Sequence, residues 1–140
     1  MHKKTIGLLT GGGDVPGLNP CMKALVISAL EKDYRVIGIR RGWAGLLHYN
    51  LDEPSTYHYY VKELNYYDVR TIDRTGGTFL HTSRTNPQKV KEKSIPDFLK
   101  NSGLGKKVDD AGTMDFTDHI LRVIEHLGLD VLVTIGGDDT

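Results

Sequence analysis

The sequence predicts a three-layer α/β domain built on a mainly parallel sheet. Three observations carry that prediction. An apolar run from Ile6 to Thr10 stops at Gly11-Gly12-Gly13-Asp14. A helical pattern and then a β-branched run, Tyr34 to Ile39, follow it. A second apolar run, Val131 to Ile135, stops at Gly136-Gly137-Asp138-Asp139-Thr140, an echo of the first. Strand, glycine loop, helix and strand make a βαβ unit, whose crossover is expected to be right-handed and whose strands are parallel.

Taken in order, Thr5–Thr10 is expected as a buried strand and 11–16 as a loop. Leu18, Met22, Leu25, Val26, Ala29 and Leu30 recur at helical spacing, predicting a helix from 16 or 17 to about 32. Asn19 precedes Pro20 and is expected to be its N-cap. After the strand 34–39, Gly42-Trp43-Ala44-Gly45-Leu46 reads as a turn. The stretch 50–60 reads as a surface excursion whose Tyr57, Tyr59 and Tyr60 cover the core edge. Arg74-Thr75-Gly76-Gly77-Thr78 is another glycine loop, followed by the donor-rich run 81–87. The segment 88–107, with Lys89, Lys91, Lys93, Lys100, Lys106 and Lys107, reads as a solvated insertion. Ile120, Leu121, Val123, Ile124 and Leu127 predict a helix over 118–127, capped by Asp115 or Thr117 and stopped by Gly128. The last strand is expected over 130–135.

At 140 residues, 39% hydrophobic and 26% charged, the chain is sized for one domain, 1–140. Its formal net charge of zero gives no electrostatic case for nucleic acid or an anionic membrane. No window is long and apolar enough to suggest a signal peptide or a membrane span, so a cytoplasmic location is expected. The single cysteine, Cys21, excludes an internal disulfide and is expected to be a buried thiol.

The glycine loops carry the chemistry. Without a Cβ, backbone N–H groups can approach an anion closely. An Asp beside them cannot hold a phosphate but can hold the Mg²⁺ that accompanies one. Two such loops on parallel strands share a sheet edge and can face one ligand. That combination points to phosphoryl transfer. Arg74 and Arg84 flank the Gly-Gly-Thr segment, and Arg84 lies among Thr82, Ser83 and Thr85, a setting suited to phosphate. Other chemistries fit less well. A dinucleotide fingerprint can be laid from Gly11, but Pro16 falls at its third small position and Arg40-Arg41 where a ribose-binding acid belongs. This disfavours a dinucleotide-dependent oxidoreductase. No Walker lysine is present. His119 and His126 are spaced seven apart, too far for a helical metal pair, and read as satisfied or solvated side chains.

Thr10-Gly11-Gly12-Gly13-Asp14-Val15-Pro16-Gly17-Leu18-Asn19 resembles the opening motif of the 6-phosphofructokinases, T-[SG]-G-G-D-x-P-G-[ML]-N. Arg74 to Leu80 with Ser83-Arg84 resembles the next block of that family, and Ile135 to Thr140 resembles its G-G-D-[GD]-[ST] loop. The resemblance implies a Rossmann-like fold, specifically the N-terminal donor-binding portion, and transfer of a phosphoryl group to the 1-hydroxyl of fructose 6-phosphate. By motif it assigns Gly12, Arg84, Gly137, Asp139 and Thr140 to the phosphoryl donor and Asp138 to Mg²⁺. Members with Asp at the position of Asp139 typically use pyrophosphate, whereas Gly there accompanies ATP. An Asp would crowd and repel the α-phosphate of ATP. The expectation is therefore a pyrophosphate-dependent enzyme of glycolysis, homo-oligomeric as a dimer or tetramer. The alternatives are an ATP-dependent one and a non-catalytic phosphate- or nucleotide-binding fragment. The family's base motif and sugar-phosphate residues are not found in 1–140, so these residues alone are expected to be inactive. Asp73, in Thr71-Ile72-Asp73, precedes the Gly-Gly-Thr block and is not assigned as the base.

Overall fold

A computed structural model describes residues 2–13, 15–138 and 140. A four-stranded sheet has the order β3-β2-β1-β6, formed by β1 (Thr5–Thr10), β2 (Arg35–Ile39), β3 (Val61–Leu64) and β6 (Val131–Ile135). β1 pairs in parallel with both β2 and β6, while β3 is antiparallel to β2. Alternate side chains of β1 enter different cores, as a strand buried on both faces requires. Leu8 packs with Met22, Val26 and Ala29 of helix α1 (Leu18–Glu31). Leu9 packs with Leu46 and Leu47 of α2 (Trp43–His48) and with Ile120 and Val123 of α6 (Thr117–His126). Helices therefore cover both faces of the sheet, giving the three layers expected. Among the described residues no helix is long and apolar enough to cross a membrane.

Several expectations are corrected. Residues 43–48 form a helix rather than a turn, because Leu46 and Leu47 bury against β1 and β2. The excursion 50–60 ends in helix α3 (Thr56–Tyr60) and leads directly into β3. Tyr59 is exposed, while Tyr57 and Tyr60 pack against the core edge. A one-turn helix, α4 (Tyr66–Val69), follows β3. Cys21 is exposed, since α1 turns Leu18, Met22 and Val26 inward and leaves it on the outer face.

Asn19 does not cap α1. Gly17 precedes the helix in the left-handed region, and the Asn19 side chain serves another loop. The basic segment is not merely solvated. It holds buried Val90 and Leu99, a short helix α5 (Asp97–Lys100), and a small hairpin of β4 (Lys106–Lys107) and β5 (Met114–Asp115). Neither Asp115 nor Thr117 is the N-cap of α6: that position is Phe116, without a side-chain cap, while Asp115 just before it accepts through Oδ1 from the Thr117 N–H at 2.8 Å and the Thr117 hydroxyl at 2.6 Å.

Candidate functional site

Thr10 and Ile135, the last residues of β1 and β6, are register partners. The Gly11 N–H donates to the Ile135 carbonyl at 2.9 Å, so the ladder continues one step beyond the strands. The two glycine loops thus leave neighbouring parallel strands at one level. They also interlock. A Cβ on Gly11 would lie 2.7 Å from Cγ2 and Oγ1 of Thr140, and one on Gly136 would collide with Thr140 Oγ1 and the Gly11 carbonyl. Gly13 and Gly137 face open space, with nothing within 4 Å of an added Cβ. Packing glycines lock the two loops together, and open ones line the side where a ligand can approach the backbone.

A third segment closes on the first loop. The Gly12 N–H donates to the Ser83 carbonyl at 3.2 Å, and the Thr82 hydroxyl donates to the Gly12 carbonyl at 3.0 Å. The N–H of Gly12 is therefore committed to the protein, and what Gly12 offers a ligand is its missing side chain. The Thr10 hydroxyl donates to the His81 carbonyl at 2.9 Å and sits 2.8 Å from the Thr78 hydroxyl, which accordingly donates to it. Asn19 holds the Gly-Gly-Thr loop from beneath. Its Nδ2 donates to the Thr75 carbonyl at 3.0 Å, and its Oδ1 accepts from the Phe79 N–H at 2.8 Å. Its own N–H donates to the Gly77 carbonyl at 3.2 Å. No local pattern signals this role, because the partners lie about sixty positions away and Asn19 reads locally as a cap.

The structure brings most of the expected residues to one edge, though into two adjoining cavities. Asp138 and Thr140 line a cavity of about 440 Å³ with Trp43, Asn86, Gln88 and the Ile120–Ile124 face of α6. Arg84 lines a second, of about 470 Å³, with His48, Lys89 and Lys91; Asn86 borders both. Gly12 and Gly137 sit between the loops. Asp14 and Asp139 lie outside the described residues. Among the described residues no group of three or more His, Cys, Asp or Glu side chains forms a metal cage. Asp138 could serve only as a single carboxylate ligand, which suits a cation that keeps waters and substrate phosphates in its shell. Arg74 and Asp73 form a helical turn at 72–74, where Asp73 accepts from Lys23 Nζ at 2.8 Å. That hydrogen bond holds its carboxyl below the usual range. His119 and His126 do not meet: one ring packs against Phe98 and the other against Tyr49.

Comparison with known proteins agrees with this geometry. A family model described as "Phosphofructokinase" matches residues 5–140. The pyrophosphate–fructose 6-phosphate 1-phosphotransferase of Dictyoglomus thermophilum is 37% identical over 140 residues, all of this chain and 31% of that protein. The ATP-dependent 6-phosphofructokinase of Clostridium acetobutylicum is 35% identical over 135 residues, 96% of this chain and 32% of that one. Among solved structures, Pichia pastoris phosphofructokinase in the T-state superposes with a TM-score of 0.67 at 29% identity, covering 99% of this chain and 12% of that one. The chain spans about a third of the length of these curated relatives.

Proposed function

The chain belongs to the phosphofructokinase family, and on that premise we propose that it forms the phosphoryl-donor site of an enzyme phosphorylating the 1-hydroxyl of fructose 6-phosphate. The observation that carries the proposal is the pair of interlocked glycine loops at the ends of β1 and β6, with Gly13 and Gly137 open beside them. Donor phosphates lie along these loops, against Gly12 and Gly137, with Arg84 and Thr140 at the sides. Asp138 holds the Mg²⁺ that accompanies the donor, and the metal's contribution is to neutralise charge on the transferring phosphoryl group. The chain's own residues bind and orient, which is most of what phosphoryl transfer asks of a protein. The general base and the groups holding the sugar phosphate are not assigned to 1–140. By itself the segment binds donor without transferring it. The whole protein is proposed to act in the cytoplasm as a homo-oligomer.

We assign pyrophosphate as donor because of Asp139, whose carboxylate would oppose the α-phosphate of ATP; the relatives include users of both donors. The test is an assay of the whole protein with Mg²⁺, fructose 6-phosphate and each donor in turn. Transfer from pyrophosphate is expected, and Asp139→Gly is expected to move the ratio of rates towards ATP. No transfer from either donor sinks the proposal, and an unchanged ratio removes Asp139 as the selector.

A further inference from the structure

The cavity of about 470 Å³ beside the donor loops has a basic lining. Arg84, Lys89 and Lys91 all face it, and among the described residues no carboxylate lines it. Other lysines divide: Lys3, Lys23, Lys62, Lys100, Lys106 and Lys107 are ion-paired, whereas Lys4, Lys32 and Lys93 have no such partner among the described residues. Neither Lys89, Lys91 nor Arg84 has an ion-pair partner among the described residues. Converging like charges repel one another, and the arrangement is relieved by a bound anion.

The lysines are also held in place. Val90 between them is buried, and it exchanges hydrogen bonds with Met114 at 2.8 and 2.9 Å. Lys89 and Lys91, on either side of Val90, are exposed and both line the cavity. Arg84 is fixed to the donor loop through Ser83, whose carbonyl accepts from Gly12. The cavity thus sits at a set place relative to the phosphates bound between the glycine loops, with Asn86 on the border of both.

We propose that Arg84, Lys89 and Lys91 form an additional phosphate subsite, continuous with the donor loops, that takes the third phosphate of a linear inorganic triphosphate. This rests on the reading that the glycine loops bind the donor's phosphates. Arg84 bridges the two places, and the lysines supply charge-assisted hydrogen bonds to the added group.

The test is calorimetric titration of the whole protein, with Mg²⁺, using tripolyphosphate, pyrophosphate and ATP as probes. Tripolyphosphate is expected to bind about ten-fold tighter than pyrophosphate, the gain of one well-placed anionic group. In the Lys89→Gln/Lys91→Gln protein that ratio is expected to fall to about one. The Lys106→Gln/Lys107→Gln protein, altered at lysines outside the cavity, is expected to keep it. A ratio near one in the unaltered protein, or a ratio that survives loss of Lys89 and Lys91, overturns the subsite. So does an equal fall in the Lys106/Lys107 control, since the effect would then be diffuse charge. A lysine-dependent gain seen with ATP but not with tripolyphosphate overturns the inorganic assignment. Failure of phosphoryl transfer to fructose 6-phosphate overturns the donor reading instead, whatever the binding ratio.

Discussion

Asn19 is 1% exposed, and both ends of its amide are used. Its removal by Asn19→Ala leaves the Phe79 N–H and the Thr75 carbonyl without their partner inside the protein. Thr75 is exposed and its carbonyl can turn to water, so the cost falls mainly on the N–H of half-buried Phe79, and a loss of roughly 1–3 kcal/mol is expected in urea unfolding. The Phe79 amide is also expected to exchange with solvent faster, because its bond is what ties the Gly-Gly-Thr loop to α1. Unchanged exchange at Phe79 would show that the loop holds its shape without Asn19. The same residue marks where sequence reasoning stops. Gly11 to Gly13 and Gly136 to Thr140 were legible because glycines after apolar runs announce their geometry locally. The role of Asn19 depends on residues brought close only by folding, and no local pattern encodes it.

At the scale of elements, the strands that are apolar runs were legible, β6 at one edge included, and β3 at the other edge was not. β1, β2 and β6 are apolar runs, whereas β3 sets exposed Lys62 and Glu63 between buried Val61 and Leu64. Those two pair with neighbours instead, Glu63 with Arg35 at 2.8 Å and Lys62 with Asp68 at 2.6 Å. Four residues of mixed polarity give too short a period to distinguish strand from loop. The start of α6 was legible in place but not in its N-cap, which is Phe116 rather than Asp115 or Thr117; Asp115 instead accepts twice from Thr117 through one oxygen. The Thr117 side-chain and backbone hydrogen bonds hold the Asp115 carboxyl below its usual range. A carboxyl depressed on folding stabilises above its unfolded value, and that contribution is lost as pH falls through the folded one. Asp115→Ala, which removes the acceptor of both Thr117 hydrogen bonds, is accordingly expected to cost about 1 kcal/mol at neutral pH. The gap in melting temperature between the two proteins should close in acid. A gap that persists once the carboxyl is protonated would mean that Asp115 acts by packing rather than by accepting these hydrogen bonds.

At the scale of the molecule, His119 joins parts distant in sequence. It lies on α6, 2% exposed, with its ring 5.6 Å from that of Phe98 in the basic segment. The backbone of Leu46, Leu47 and Tyr49, in and after α2, lies beside it. Burial pushes its pKa below the ordinary histidine value, and the nearby Arg122 adds to that; the backbone groups oppose it without prevailing. Its Nε2 has no hydrogen-bond partner among the described residues, which suits a neutral ring. In the unfolded chain the same ring takes up a proton near pH 6.5. Between the unfolded value and the lower folded one, the unfolded state binds more protons, so stability falls as pH falls. The slope from this one group approaches at most about 1.4 kcal/mol per pH unit. The core that loosens is the one holding α2, α6 and the basic segment against the sheet; α2 and the basic segment line both cavities and α6 the first. His119→Phe keeps a ring of similar size and removes the titration. Stability measured by denaturant from pH 8 to pH 5 should drop for the native sequence and stay flatter for the variant over that interval. Parallel curves would place the acid sensitivity of this fold elsewhere, in the carboxylates, and leave His119 as packing alone.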